Sequence, residues 1–359
     1  MATLPQQVAV AAALASPPPY DTLIDARSPA EFAEDHLPGA VNWPVLSDDE
    51  RATVGTLFVQ TSPLEARKLG AALVSRNIAN LVDAHVRDKP REWRPLVYCW
   101  RGGQRSGSLA LVLSQIGFRT GQLQGGYKAF RARVRDDLAR HPSQFRFLVL
   151  CGRTGSGKTR LLQALREAGA QVLDLEGLAH HRGSILGGVA GLPQPTQKRF
   201  DTRVWQALAG FSPAQPVYVE SESARIGNLR VPESLLQAMH AQGNVVRIHS
   251  SDEARTAMLL EDYHLSMQDP EPLCRLFEHL TELQGRERVS RWQSLARGGQ
   301  WAELIGELMA LHYDPLYERS MKRSYPGLTQ APRIDLPGGS APELAAAARQ
   351  LLALPSNAG

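Results

Sequence analysis

One run of residues constrains the fold of this chain more than any other part of it. Gly152-Arg153-Thr154-Gly155-Ser156-Gly157-Lys158-Thr159 fits the pattern G-x-x-x-x-G-K-[ST], follows an apolar stretch that predicts a strand, and precedes a predicted helix. In this setting glycines bring backbone N–H groups to phosphate oxygens, a lysine adds positive charge and a threonine can bind Mg²⁺. The predicted phosphate-binding residues are therefore Gly152, Gly155, Gly157, Lys158 and Thr159.

Strand and helix signals alternate in two blocks, which predicts two α/β domains built on parallel sheets with helices on both faces. His141-Pro142-Ser143-Gln144 interrupts the pattern, so we place a first domain at residues 1–140 and a second at residues 145–359. Within the second domain, residues 252–325 are predicted to be mostly helical. The length of 359 residues fits two domains, and a content of 43% apolar and 21% charged residues excludes a disordered chain.

Several elements can be placed from the pattern of apolar residues. Ser28-Pro29-Ala30-Glu31 has the features of a helix start, with a capping serine, a proline at the first helical position and a glutamate three residues after the cap. The predicted strands are Thr22 to Ile24, Leu96 to Tyr98, Gly117 to Leu123, Phe145 to Leu150, Val217 to Val219, Val245 to Ile248 and Ile334 to Leu336. The predicted helices include Ser106 to Ile116, Tyr127 to Leu138, Lys158 to Ala168, Pro232 to Gln242 and residues 341–353.

Charge and cysteine content add weaker constraints. The formal net charge is +4, which permits a polyanionic partner without requiring one, and only six of the 40 basic residues are lysine. Three cysteines without metal-ligand spacing indicate neither a disulfide framework nor a zinc site, so we expect a reducing, cytoplasmic location. Since no run of about 20 apolar residues occurs, we expect no membrane partner.

A cysteine lies in a second glycine-containing loop, Tyr98-Cys99-Trp100-Arg101-Gly102-Gly103-Gln104-Arg105-Ser106, between a predicted strand and a predicted helix. The carboxyl end of a parallel strand is where ligands bind, and the following helix directs free N–H groups at them. We therefore predict Cys99 as a catalytic nucleophile whose thiolate is stabilised by the loop. The predicted anion cradle consists of Arg101, Gly102, Gly103 and Arg105.

Carboxylates follow two other predicted strands of the second domain. Glu220 and Glu222 come after an apolar run, and either could reach Mg²⁺ or its water; Asp174, like Glu176, is a further candidate for the same cleft. Arg182 is predicted to contact phosphate. The adjacent histidines 180 and 181 lie on different faces of any regular element, so we assign no metal site there.

The first domain resembles rhodanese domains. The resemblance is carried by Leu23 to Ser28, His36 to Asn42, Tyr98 to Ser106 and Leu123-Gln124-Gly125-Gly126-Tyr127. Within it, Asp25 and Arg27 are interpreted as scaffold residues. Five residues separate Cys99 from Arg105, one more than in the tightest sulfurtransferase loops, and this spacing also occurs in cysteine phosphatases.

A rhodanese-like domain followed by a P-loop domain is similar to the bacterial tRNA 2-selenouridine synthase family. Further matching segments are Asp49 to Thr56, Asp174 to Ala179, His181 to Ser184 and Tyr313-Asp314-Pro315-Leu316-Tyr317. The chain departs from the family at Ala224, where an arginine is expected, and at Arg153 and Ser156, where a relative can carry cysteine.

The resemblance implies that sulfur at carbon 2 of the wobble uridine in certain tRNAs is replaced by selenium. It implies selenophosphate and geranyl diphosphate as co-substrates, an S-geranylated intermediate and no tightly bound cofactor, with Mg²⁺ as an open addition. The implied partners are tRNA, through an anticodon stem-loop with 2-thiouridine at the wobble position, and a supplier of selenophosphate. Whether the P-loop holds geranyl diphosphate or ATP stays open.

A basic stretch in the helical segment is the candidate tRNA surface. It contains Arg286, Arg288, Arg291 and Arg297, with Trp292 among them as an aromatic that could stack on an anticodon base.

Two other functions remain open at this point. One is a rhodanese-type sulfurtransferase or cysteine phosphatase fused to a P-loop NTPase or kinase. The other is an inactive rhodanese module that regulates a P-loop enzyme, which the intact cysteine, glycines and arginines disfavour.

Overall fold

The computed structural model describes residues 4–183, 187–188, 191–242, 244–264 and 267–354. The chain divides into two compact units, residues 1–137 and 138–359. Among the described residues, no helix is both long enough and apolar enough to cross a membrane.

In the first unit, five parallel strands form one sheet within the described part of the chain, in the order β1-β5-β4-β2-β3. The strands are β1 (Gln6–Val8), β2 (Thr22–Asp25), β3 (Ala40–Asn42), β4 (Pro95–Tyr98) and β5 (Gly121–Leu123). The helices are α1 (Val10–Ala13), α2 (Pro29–Glu34), α3 (Asp48–Gln60), α4 (Pro63–His85), α5 (Gln104–Ile116) and α6 (Gly126–Arg140).

Local sequence explains several of these elements. Every residue of β4 is buried, as expected for a parallel strand that is covered on both faces. Helix α2 begins at the predicted capping residues, where the Glu31 carboxylate accepts from the backbone N–H of Ser28 at 3.3 Å. The predicted strand from Gly117 is wrong at its start, because Gly117 ends α5 in a left-handed conformation with φ 117° and β5 begins only at Gly121.

In the second unit, the main sheet of the described residues has the parallel order β12-β11-β6-β8-β7, and β9 and β10 form an antiparallel pair. The strands are β6 (Phe147–Cys151), β7 (Gln171–Leu173), β8 (Val217–Glu220), β9 (Arg225–Ile226), β10 (Leu229–Arg230), β11 (Asn244–His249) and β12 (Arg333–Asp335). The predicted parallel α/β fold class is thus confirmed for both units.

The helices that cover this sheet are α7 (Lys158–Glu167), α8 (Leu175–Ala179), α9 (Gln197–Ala209), α10 (Glu233–Gln242) and α17 (Ala341–Leu352). Between β11 and β12 lie α11 (Asp252–Tyr263), α12 (Glu271–Glu278), α13 (Thr281–Gln284), α14 (Arg286–Arg297), α15 (Trp301–Leu308) and α16 (Asp314–Ser324). A π-helix covers Met309–Tyr313, and 3-10 helices cover His141–Gln144 and Pro326–Gln330. The mostly helical character predicted for residues 252–325 is confirmed in the part that the structure describes.

Strand β6 lies in the middle of this sheet and leads into the phosphate-binding run. Its core packing joins Leu150 and Ile248 of the sheet to Leu161 of α7 and Leu351 of α17. Burial of these apolar side chains fixes the carboxyl end of β6 and the start of α7, which are the two supports of the loop between them.

Candidate active sites

Cys99 directly follows β4 at the carboxyl edge of the first sheet, and α5 begins a few residues later with Gly103 as its N-cap. The side chain of Cys99 is 3% exposed, and its Sγ accepts a hydrogen bond from the Ser106 hydroxyl at 3.1 Å. A parallel strand and a helix N-terminus therefore hold the thiol, as the sequence predicted.

The loop after Cys99 packs closely against the turn between β5 and α6. A Cβ atom on Gly102 would lie 2.6 Å from the carbonyl oxygen of Leu123, and Gly102 has φ 67°. A Cβ on Gly126 would lie 2.2 Å from the carbonyl oxygen of Cys99. Gln122 donates from Nε2 to the Gly102 carbonyl at 2.8 Å. Only glycine fits at Gly102 and Gly126. The turn between β5 and α6 and the Gln122 side chain therefore determine the shape of the cysteine loop.

The two arginines of the predicted cradle differ in their surroundings. Arg105 donates to Glu31 Oε2 at 2.6 Å, and Glu31 also pairs with Arg51 at 3.0 Å. Burial acts to raise the pKa of Glu31, but the hydrogen bond and charge of Arg105 and the charge of Arg51 outweigh it and hold the pKa below its usual range. Arg101 is exposed. Arg105 thus forms an ion pair with Glu31, whereas the side chain of Arg101 faces solvent.

Asp25 and Arg27 have the scaffold role assigned to them. Both side chains are fully buried and form an ion pair at 2.6 Å. The guanidinium carbon of Arg27 lies 3.9 Å from the centre of the Tyr127 ring, and Arg27 also donates to the Asp35 carbonyl at 2.6 Å. These contacts connect β2 to the start of α6, beneath the cysteine loop.

The other two cysteines are buried thiols, and Cys151 directly precedes the phosphate-binding loop. Cys151 ends β6 and is fully buried, and burial raises the pKa of its thiol to about 12. Cys274 is buried among the helices of the second unit, and burial raises its pKa as well. Burial therefore holds both of these thiols protonated at neutral pH, which disfavours them as nucleophiles.

The phosphate-binding run forms a loop between β6 and α7. Gly155 and Gly157 have φ 78° and 79°, where a side chain is strained, and a Cβ on Gly157 would lie 2.6 Å from Leu336. The Lys158 ammonium donates to the Gly152 carbonyl at 2.6 Å. Thr159 donates from Oγ1 to Glu176 Oε2 at 3.1 Å. The structure therefore brings the predicted residues together in one loop that leads into a helix N-terminus, a setting that favours anions.

A buried ion pair behind this loop was missed by the sequence analysis. Arg255 of α11 is 1% exposed, donates from Nε to the Thr154 carbonyl at 2.9 Å, and binds both carboxylate oxygens of Asp314 at 2.9 and 2.6 Å. Arg153 pairs with Asp314 at 3.5 Å and with Glu318. Helices α11 and α16 are thus joined to the loop by charge-assisted hydrogen bonds.

The predicted acidic residues form a buried group next to Lys158 and Thr159. Glu220 is 1% exposed and accepts from the backbone N–H of Glu176 at 2.8 Å. Burial, and then the charges of Glu176 and Asp174, raise the pKa of Glu220 to about 8. Burial and the neighbouring glutamates also raise the pKa of Glu222 well above its usual range. Part of this group therefore holds protons at neutral pH.

Asp174 has a structural role in this group. It caps α8, where its carboxylate accepts from the N–H of Gly177 at 2.7 Å. Asp174 was predicted to lie in the same cleft as Glu220. Its negative charge raises the pKa of both Glu220 and Glu176.

A magnesium ion is compatible with these donors. Within the described part of the chain, no group of three or more His, Cys, Asp or Glu side chains is arranged to hold a metal. Mg²⁺ bound with phosphates usually needs only one or two protein oxygens, and Thr159 and Glu176 supply adjacent ones. The Oε2 atom of Glu220 is buried without a hydrogen-bond partner among the described residues. The oxygen donor set therefore fits a hard cation.

The phosphate contact of Arg182 stays a prediction, and its side chain is exposed. Arg182 donates to the Asp262 carbonyl at 2.6 Å, and its guanidinium lies 4.8 Å from the centre of the Tyr263 ring. These contacts attach the segment after α8 to the end of α11. Ser184, part of the matching segment that begins at His181, lies outside the described residues.

The stacking role predicted for Trp292 is wrong. Its side chain is fully buried, packs against Phe277 with ring centres 5.8 Å apart, and donates to Glu307 at 3.1 Å. The spacing of Val289, Trp292 and Ala296 places these residues on the buried face of α14. A ring inside the core cannot stack on an RNA base.

The arginines of α14 are only partly available for RNA. Arg291 pairs with Glu303 and Glu307, and Arg297 pairs with Glu271. Arg288 donates to Gln284 at 2.6 Å, and Arg286 is exposed at the start of the helix. Carboxylates offset two of the four predicted charges, so the described surface of α14 is less basic than the sequence suggests.

Comparison with known proteins first defines the class. A family model described as a rhodanese-like domain matches residues 8–133, and one described as a tRNA 2-selenouridine synthase AAA domain matches residues 145–287. The protein is therefore a rhodanese-like domain followed by a P-loop α/β domain.

Curated relatives then identify the family. The tRNA 2-selenouridine synthase of Nitrosomonas europaea is 35% identical over 255 residues, which are 68% of this chain and 64% of that protein. The one from Shewanella halifaxensis is 38% identical over 244 residues, 67% of this chain and 65% of that protein. The one from Alcanivorax borkumensis is 33% identical over 333 residues, 84% of this chain and 90% of that protein. The chain belongs to the tRNA 2-selenouridine synthase family, although the first two matches span less than two thirds of the relative's length.

Proposed function

We propose that this protein is an enzyme that acts on tRNA and replaces the sulfur at carbon 2 of wobble 2-thiouridine with selenium. The observation that carries the proposal is the presence in one chain of a cysteine in an amide-lined loop and a complete phosphate-binding loop, in a member of this family. The reaction has two steps, S-geranylation with geranyl diphosphate and then selenation with selenophosphate.

In the first step, the 2-thio sulfur attacks carbon 1 of geranyl diphosphate. The carbon–oxygen bond breaks, and pyrophosphate leaves with the electron pair. Held cations and amide donors stabilise the charge that develops on the leaving group. We assign this role to the loop from Gly152 to Thr159, which includes Lys158. The Lys158 ammonium donates to the Gly152 carbonyl in this structure, and a bound pyrophosphate would replace that carbonyl as its acceptor. Mg²⁺ bound at Thr159 and Glu176 would add positive charge to the pyrophosphate.

In the second step, selenium from selenophosphate adds to carbon 2, and the geranyl thiolate leaves. Water takes up the phosphoryl group of selenophosphate, which is released as phosphate. A thioether sulfur leaves more readily than a thiocarbonyl sulfur, which explains the need for the first step. We assign Cys99 to this step because its loop follows β4 and precedes α5, where an anionic selenium donor would be stabilised. A separate protein would supply the selenophosphate.

The cysteine phosphatase alternative is disfavoured by one contact. That chemistry needs an arginine at the end of the loop to hold the phosphoryl group, and Arg105 is the residue at that position. Its guanidinium forms an ion pair with Glu31 at 2.6 Å. The ion pair occupies donors on both terminal nitrogens of Arg105, which leaves fewer N–H groups for a phosphoryl group.

The test is to incubate the purified chain with 2-thiouridine tRNA, geranyl diphosphate and selenophosphate, followed by digestion and mass analysis of the nucleosides. The proposal predicts S-geranyl-2-thiouridine when selenophosphate is omitted, and 2-selenouridine when both co-substrates are present. Finding neither nucleoside would contradict it.

A further inference from the structure

A cavity of about 750 Å³ lies next to the phosphate-binding loop in the second unit. One end is formed by Gly152, Arg153 and Ser156 of that loop. Its remaining walls come from β11 and β12 on one side and from α16 and the following 3-10 helix on the other. The volume is within the range of small-molecule sites, and the ion pairs of Arg153 and Arg255 lie in the cavity wall.

The cavity lining carries more cationic than acidic side chains, and its carboxylates are Asp252 and Glu318. Arg247 of β11 and Arg333 of β12 occupy the same register position on adjacent parallel strands, and both line the cavity. Arg333 pairs with the exposed Asp335. Among the described residues, neither Arg247 nor Lys322 of the opposite wall forms an ion pair, and Arg247 Nε is buried without an acceptor. Like charges at neighbouring positions are unfavourable unless an anion lies between them.

Buried hydroxyl groups also line this space. Tyr325 is 3% exposed and Ser156 is 1% exposed, and within the described residues the hydroxyl of each has no hydrogen-bond partner. Burial raises the pKa of Tyr325, so its hydroxyl stays protonated at neutral pH. A buried polar group without a partner is unfavourable, and a ligand that supplies acceptors would remove that cost.

The cations and the unpartnered hydroxyls of the cavity indicate which chemical class of ligand it can bind. A hydrocarbon chain would leave the hydroxyls and Arg247 unsatisfied, whereas a nucleotide offers a phosphate, ribose oxygens and base acceptors. Met321 and Leu328 add apolar surface on the same wall as Tyr325, against which the face of a base can pack. The lining therefore matches a phosphorylated nucleoside better than an isoprenyl chain.

We propose that this cavity binds one nucleotide of the RNA substrate, with its phosphate toward Arg247, Arg333 and Lys322 and its sugar or base toward the hydroxyls of Tyr325 and Ser156. The proposal rests on the proposed function in taking RNA as the substrate. It places the RNA directly beside the loop that holds the leaving diphosphate.

The test uses the full chain and a fluorescein-labelled RNA hairpin with 2-thiouridine in its loop. Binding is measured by fluorescence anisotropy over a series of salt concentrations for Arg247→Gln, Lys322→Gln and Tyr325→Phe. The matched control is Arg319→Gln, an exposed charge on the same helix as Lys322 that is not part of the cavity lining. Circular dichroism and thermal unfolding check that each variant is folded.

Each cavity arginine or lysine variant is expected to weaken RNA binding about tenfold and to reduce the slope of log Kd against log salt by about 1. Tyr325→Phe is expected to weaken binding several-fold without changing the slope, since no charge is lost. The control variant should bind like the wild type. Unchanged RNA affinity in folded Arg247→Gln and Lys322→Gln variants would overturn the proposal.

A parallel measurement with ATP distinguishes a free nucleotide from RNA. If the cavity variants lose ATP binding and keep RNA binding, the RNA assignment is overturned. The outcome also separates the two proposals. RNA binding that depends on the cavity, in a protein that makes no modified nucleoside, would support the cavity and refute the reaction. Normal tRNA modification with unchanged RNA affinity in the variants would support the proposed reaction and refute the role of the cavity.

Discussion

The ion pair between Arg255 and Asp314 gives the sharpest prediction about stability. Arg255 is almost fully buried, and Asp314, with 13% exposure, supplies both of its carboxylate oxygens. The change Asp314→Asn removes the negative charge and leaves the guanidinium inside the protein with the exposed Asp252 as its other partner. Breaking a fully buried pair costs about 3–5 kcal/mol. Because Asp252 and the Thr154 carbonyl remain, we expect a loss of about 2 kcal/mol.

Hydrogen–deuterium exchange of the full chain, read on peptides from α11 and α16, measures this loss within the second unit alone. A loss of about 2 kcal/mol corresponds to exchange about 30-fold faster for amides that open through local unfolding. The variant Glu318→Gln, which removes an exposed partner of Arg153, is the matched control and should change exchange less than threefold.

A double-mutant cycle with Arg255→Met isolates the pair. Replacing both charges removes the uncompensated guanidinium, so the double variant is expected to be more stable than Asp314→Asn alone. The reasoning is refuted if Asp314→Asn exchanges as slowly as Glu318→Gln, because the buried charge would then need no counter-ion.

Three further predictions concern single side chains. Trp292→Ala should destabilise the helical segment by about 3–5 kcal/mol, measured by hydrogen exchange of α14, and a fully stable variant would contradict its core position. The raised pKa of Glu220 means that the folded state holds a proton that the unfolded chain releases, so wild-type stability should fall as pH rises from about 4.5 to about 8 and then level off. Urea unfolding of Glu220→Gln should show a smaller fall in stability over this pH range, and an unchanged fall would refute the assignment. Lys158→Ala should slow formation of the geranylated nucleoside about 100-fold, and a normal rate would remove Lys158 from that step.

The parts of the fold that the sequence predicts well are those encoded by neighbouring residues. The loop from Gly152 to Thr159 carries its own strand, turn and helix signals, and Glu31 accepts from the backbone N–H of Ser28, as their spacing predicts. Strand β4 is a short apolar run with a cysteine loop after it, and the structure places Cys99 where that pattern indicates. In each case the physical cause lies within a few residues.

The parts that were missed depend on residues far apart in the chain. Nothing near Arg255 indicates a contact with Asp314, which is 59 residues away. Glu31 and Arg105 are 74 residues apart, so the cradle prediction could not include their ion pair. Trp292 is different, because the apolar spacing of Val289, Trp292 and Ala296 was visible and indicated a buried helix face. The arginines around it obscured that periodicity.

We propose that the two units perform different steps, with the phosphate-binding loop in geranylation and Cys99 in selenation. The most direct test is to incubate Cys99→Ser protein with 2-thiouridine tRNA, geranyl diphosphate and selenophosphate, and to follow the nucleosides by mass over time. The account predicts that S-geranyl-2-thiouridine accumulates while 2-selenouridine does not form. Formation of 2-selenouridine at the wild-type rate would contradict it.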